Sequence, residues 1–252
     1  MTINKPIEPK DRIVLALDVD TLEEVEKYTL MLKDYVGYFK VGLQLYTSCG
    51  LQAVEVIKKH NAKVFFDGKF QDIPNTVAKA CANLMKNGVD FFNININGGS
   101  KMISTTVKLC KETAKKLDIP TPTILGVTLL SSFGQRTLTE ELSVKINIDE
   151  YVLHLAKIAK ESGISGVVAS ATDARRIRQE AGEDFIIMCP AIRPTWSVVN
   201  DQIRVVSPSD AILAGVDYMV IGRPITASDD PVAAAKLIIN EIEDAIAQKS
   251  TF

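Results

Sequence analysis

Eight short runs of β-branched and aromatic residues recur along the chain, and a stretch of helical period follows each one. The runs are IVLALDV (13–19), YFKVGLQL (38–45), KVFFDGK (63–69), FFNINI (91–96), TILGVTLL (123–130), GVVAS (166–170), FIIMCPAI (185–192) and YMVIGRPI (218–225). Between them, stretches such as TLEEVEKYTLMLKDY and IPNTVAKACANLMKNG space their apolar residues at three and four and end near Gly or Asn, as helices do. Eight strand–helix repeats in 252 residues predict an α/β fold, a closed (β/α)8 TIM barrel. An open doubly wound sheet would also alternate, but eight strands in strict succession favour closure. No Ser/Gly/Pro-rich linker or charge block divides the chain, so residues 1–252 read as a single domain. The one long connection, from Ser131 to about Asn147, follows the fifth strand and reads as a lid or binding loop.

Composition narrows the partners. A formal charge of −2 leaves no broad basic field for nucleic acid or an anionic membrane, so a bound anion must be gripped locally. The four cysteines, Cys49, Cys81, Cys110 and Cys189, form no C-x-x-C pair and read as reduced, mostly buried thiols. The first residues, MTINKPIEPKDR, lack the apolar stretch of a secretory signal, and no run approaches the roughly 18 apolar residues of a membrane span. A soluble, cytoplasmic protein is expected.

The charged residues carry the chemistry. Strand residues two apart point the same way, so Asp67 and Lys69 share one face at the end of the third run. Asp18 ends the first run, and Lys40 interrupts the otherwise apolar second. Taken singly, each reads equally well as a solvated loop charge. Together they fall at or near the C-terminal ends of strands one to three, where barrel active sites are built. The order Lys40, Asp67, Lys69, Asp72 sums to zero charge, which makes a buried cluster tolerable.

Two further stretches suit a phosphate. Arg193 follows CPAI at the seventh strand, and Gly222 and Arg223 follow YMVI at the eighth, the two loops that often hold phosphate in such barrels. Gln202 adds a neutral donor after the seventh strand. Ser131 and Ser132 could hydrogen-bond a ligand but lack a neighbouring base. The two histidines, His60 and His154, lie in helical patterns, which argues against a His base or a His/Cys zinc site. No GxGxxG and no P-loop are present. No cofactor and no metal are expected, and lysine remains as the proton donor.

ALDVD (16–20), FKVGLQLY (39–46), FFDGKFQDIPNTV (65–77) and GVDYMVIGRPIT (215–226) together resemble the orotidine 5′-phosphate decarboxylase family over almost the whole chain. The resemblance implies cofactor-free conversion of orotidine 5′-monophosphate to UMP and CO2, in a homodimer with shared active sites. It implies that Lys69 protonates the product carbon, that Asp67 lies beside the substrate carboxylate, and that Lys40 contacts the ribose and completes the charged network. It assigns Asp18 to the ribose, Ser131 to the pyrimidine, and Arg193, Gln202, Gly222 and Arg223 to the phosphate. Asp72, Ile73 and Thr76 match residues that reach into the neighbouring subunit's site.

Three departures accompany it. Asn95 stands where the family commonly has His, Ala191 replaces the Gly of P-G-I-R-P, and TWSVVN (195–200) matches no family pattern. Ala at 191 costs little unless its φ is positive. The nearest rivals, metal-dependent sugar-phosphate relatives sharing D-x-K-x-x-D, resemble this chain but carry Glu at the position of Lys40.

Overall fold

The computed structural model describes residues 7–197 and 206–249. Its strands are β1 (Ile13–Leu17), β2 (Tyr38–Val41), β3 (Val64–Phe70), β4 (Phe91–Asn95), β5 (Thr123–Val127), β6 (Gly166–Val168), β7 (Ile186–Cys189) and β8 (Tyr218–Ile221). Every strand pairs in parallel with its successor, and β8 pairs with β1, so the sheet closes into the expected (β/α)8 barrel. The helices are α1 (Leu22–Leu32), α2 (Leu43–Cys49), α3 (Gln52–Lys59), α4 (Pro74–Lys86), α5 (Gly99–Leu117), α6 (Ile148–Glu161), α7 (Ala171–Ala181), α8 (Pro208–Leu213), α9 (Arg223–Thr226) and α10 (Pro231–Lys249).

Local signals account for the helix starts. Thr21 accepts the Glu24 N–H at the head of α1, while Asn147 and Ser170 accept N–H groups at the heads of α6 and α7. Most runs read as strand prove to be shorter, and two of them give way to helix. Residues 43–45 open α2 and residues 223–225 open α9, because Gly42 and Gly222 turn the chain at the barrel mouth. Short apolar runs do not distinguish strand from helix by periodicity alone. The 131–147 connection holds one helical turn, Thr137–Glu141, and Gln135 ties its ends by bonding both the Ile146 carbonyl and the Ile148 N–H.

Strand alternation sorts the core into two sets. One set, including Phe39, Phe66, Phe92 and Ile94, packs between sheet and helices. The other, including Val14, Tyr38, Phe65, Phe91, Leu125 and Tyr218, fills the barrel interior. The rings of Tyr38, Phe91 and Tyr218 meet there at 4.4–5.7 Å between centroids and plug the lower barrel. Two residues further along β1 to β4 come Ala16, Lys40, Asp67 and Asn93. The barrel interior therefore passes from aromatic to polar within one repeat of the alternation.

At the opposite end, Arg178 reaches Asp217 Oδ2 at 2.6 Å and also donates to the carbonyls of Gly215 and Phe185. This largely buried ion pair joins α7 to the segments entering β7 and β8. It lies below the aromatic plug and serves the fold.

Candidate active site

Four charged side chains of alternating sign line up at the mouth. Lys40 Nζ lies 3.1 Å from Asp18 Oδ1 and 3.8 Å from Asp67 Oδ2, and Lys69 Nζ lies 2.7 Å from Asp67 Oδ1. Lys40 and Asp67 are 10% and 15% exposed, so each must have its counter-ion to be tolerated there. Burial by itself pushes the Asp67 carboxyl up. The charges of Lys40 and Lys69, with hydrogen bonds from Lys69 and Asn93, outweigh burial and hold it below the usual carboxylate range. Asp67 is therefore an anion, and it fixes two ammonium groups around itself.

The neutral set within the chain is Asp18, Lys40, Asp67 and Lys69, which corrects the expected one. Asp72 does not join it: its Oδ1 accepts the neighbouring Ile73 N–H at 2.6 Å, and Asp72, Ile73 and Thr76 all face outward. The Asp67–Lys69 alternation also needs correction. β3 slips register between Phe66, which pairs with Phe92, and Phe70, which pairs with Ile94. Three residues thus face Asn93 alone, and Lys69 takes a left-handed φ of 48°. The two side chains meet through a bulge, not through a regular pleat.

Gly42 explains why the strand-two motif reads K-V-G. A Cβ there would stand 2.6 Å from Lys40 Nζ. Since Asp18 and Asp67 hold that ammonium, Gly42→Ala is expected to displace it and lower turnover by about 10- to 100-fold. Thermal unfolding should move little, because Gly42 has an ordinary negative φ of −96°. Parallel kinetic and melting measurements would check both halves.

Sequence inspection missed Asn93. This fully buried residue on β4 donates from Nδ2 to Asp67 Oδ1 at 2.7 Å and accepts the Lys69 N–H on Oδ1 at 2.7 Å. The available signal was its parity: like Lys40, it is a polar residue two positions after an inward aromatic. Asn95, the position of the absent His, instead caps the turn at 96–98 by accepting the Asn97 N–H.

The charged row forms one wall of a cavity of about 350 Å³. Ser131 borders its mouth, and Arg193, Gly222 and Arg223 form the wall across from β3. Arg193 is only 6% exposed, and its backbone N–H donates to the Val206 carbonyl at 3.0 Å. A Cβ on Gly222 would lie 3.3 Å from Ala16 Cβ, a tight contact at the β1–β8 seam. Gln202 lies outside the described residues.

Ala191, on the cavity wall, has φ 63°. The departure from Gly thus falls where a Cβ is costly. We expect Ala191→Gly to stabilise the protein by about 0.5–1 kcal/mol after the entropy of Gly is deducted. That is a rise of about 2 °C in melting temperature, measurable by calorimetry.

Fold and site together define a class: (β/α)8-barrel enzymes that carry paired ammonium and carboxylate side chains at the C-terminal mouth. Residues 11–238 match the family described as Orotidine 5'-phosphate decarboxylase / HUMPS, and the chain belongs to that family. It is 44% identical over 234 residues to the orotidine 5′-phosphate decarboxylase of Moorella thermoacetica, covering 93% of each chain. Its identity to the Syntrophomonas wolfei protein of the same name is 44% over 239 residues, covering 94% of this chain and all of that one. The crystal structure of orotidine 5′-phosphate decarboxylase from Lactobacillus acidophilus superposes with a TM-score of 0.80 at 32% identity, covering 91% of this chain and 98% of that one.

Proposed function

We propose that the chain decarboxylates orotidine 5′-monophosphate to UMP and CO2 in pyrimidine biosynthesis, in the cytoplasm, without metal or organic cofactor. The observation that carries this reading is the Lys40 ammonium lodged between Asp18 and Asp67, with Lys69 on the far side of Asp67. A divalent cation held by Asp67 would meet that ammonium, whereas an anionic, carbanion-forming substrate would meet two fixed positive charges. The names of the relatives support the same substrate.

In the reaction, the bond from pyrimidine C6 to the carboxylate breaks, CO2 departs and the electron pair stays on C6. Lys69 faces that charge as a preorganised ammonium and transfers a proton from Nζ to C6, forming the C–H bond. Water then restores the lysine's proton. Asp67 sits beside the substrate carboxylate and holds the Lys69 side chain in place. Asp18 and Lys40 bind the ribose, Ser131 the pyrimidine, and Arg193, Gln202, Gly222 and Arg223 the phosphate. The phosphate grip is remote from C6, and its binding energy organises the mouth and excludes water.

The reading includes a homodimer in which Asp72, Ile73 and Thr76 complete the neighbour's site. Two apolar side chains at adjacent strand ends support it: Ile73 after β3 is 68% exposed, and Leu43 after β2 is 57% exposed. Purified protein mixed with orotidine 5′-monophosphate and excess EDTA should deplete the substrate's ultraviolet absorbance. No depletion would reject the reading, and depletion only after magnesium is restored would point to the metal-using branch.

Shared sites have their own test. Lys69→Ala and Asp72→Ala should each be nearly inactive alone. Mixed and allowed to exchange subunits, they should regain about a quarter of wild-type activity, since half the dimers are hybrid and half of their sites intact. Absence of recovery despite exchange would reject shared sites.

A further inference from the structure

Asn93 is the one β4 residue opposite the bulge that carries Asp67, Gly68 and Lys69. The slip of β3 removes the regular ladder partner of the Lys69 N–H, and Asn93 Oδ1 replaces it at 2.7 Å. The same amide's Nδ2 bonds Asp67 Oδ1, the oxygen that also holds Lys69 Nζ. The orientation of the amide follows from its partners: a backbone N–H can only donate and a carboxylate can only accept.

We infer that Asn93 is a positioning residue for the reaction. It holds Lys69 in its left-handed conformation and aims the Asp67 carboxylate, so that the Lys69 ammonium is presented to the cavity. Among uncharged side chains, only Asn and Gln carry an amide that is at once a donor and an acceptor of this kind, and Asn is the shorter. A left-handed lysine costs about 1–2 kcal/mol and persists only where the surroundings enforce it. The charged groups around Asn93 are Asp67 and Lys69 on β3 and, one strand further, Lys40. On its other side β5 presents Leu125 at the same level, an apolar residue. The amide is fully buried, so no solvent can substitute for either bond.

This inference rests on the proposed decarboxylation, and the test separates the two. Wild-type protein, Asn93→Ala and Asn93→Asp are assayed on orotidine 5′-monophosphate across pH, with melting curves alongside. Asn93→Ala is expected to lower kcat about 10- to 100-fold while leaving KM within about twofold, because the arginines across the cavity are untouched. Asn93→Asp keeps the acceptor for Lys69 N–H. Its carboxyl group restores the donor to Asp67 only when protonated, since two carboxyls at this distance cannot both ionise cheaply.

Its kcat relative to wild type should therefore rise as pH falls. A wild-type kcat in Asn93→Ala with only a lowered melting temperature would overturn the inference and leave the decarboxylation standing. If Asn93→Ala does not fold, Asn93→Asp decides: a pH profile parallel to wild type would overturn the inference. An inactive wild type would overturn the functional reading and this inference with it.

Discussion

Lys69→Ala is expected to remove nearly all turnover, by about 10⁴-fold, while the protein stays folded. The figure combines the two roles proposed for this group: proton donation, worth about 10²–10⁴, and fixed positive charge at the developing carbanion, worth about 10²–10³. The roles overlap, so the product is an upper bound. Folding should survive because Lys69 is one-third exposed and Asp67 keeps both Lys40 and Asn93 as partners. Single-turnover measurement under saturating substrate is the check. Turnover within tenfold of wild type would show that another group delivers the proton.

Asp67→Ala should damage stability and activity together. It strips Lys40, 10% exposed, of one of its two counter-ions, leaves Lys69 without its 2.7 Å partner and orphans the Asn93 Nδ2. Breaking a buried pair from one side costs about 3–5 kcal/mol, or roughly 10 °C in melting temperature for a chain of this size. The pH dependence has a definite sign. The folded-state pKa of Asp67 is lowered, so its stabilisation is complete above the unfolded value of about 3.9 and is lost as pH falls through the folded value. The stability gap between wild type and Asp67→Ala, read from urea titrations, should therefore narrow on acidification below about pH 4. A constant gap would mean that Asp67 contributes through packing and not through charge.

The residues that carry these effects differ in how legible they were. Lys40 was conspicuous because a charge inside an apolar strand has few innocent explanations. Asp67 and Lys69 were placed on one side by the two-residue alternation, yet they meet through a bulge that the alternation does not encode. Asn93 obeyed the same inward parity as Lys40 but is uncharged, and a neutral amide does not stand out among the residues of FFNINI. The left-handed φ at Ala191 was posed as a condition by the sequence and met in the structure. The strand readings at 43–45 and 223–225 failed because the chain turns at Gly42 and Gly222, and a run as short as LQL or RPI fits a strand end and a helical turn equally well.

Buried charge alone did not identify the site either. Arg178 and Asp217, 10% and 17% exposed, are paired as closely as Asp67 and Lys69, but below the aromatic plug. Which pair faces a cavity is a property of the closed barrel.

Local pattern along the chain is enough to give the eightfold alternation, hence the barrel, and the strand ends at which Asp18, Lys40, Asp67, Lys69, Arg193 and Arg223 gather. These are consequences of local periodicity, which every residue carries in its own neighbourhood. The order of the charges, the exclusion of Asp72 from its own chain's row, and the amide of Asn93 opposite the bulge come from the closed barrel. Those depend on register between strands and on distances across the barrel, which form only when the sheet closes.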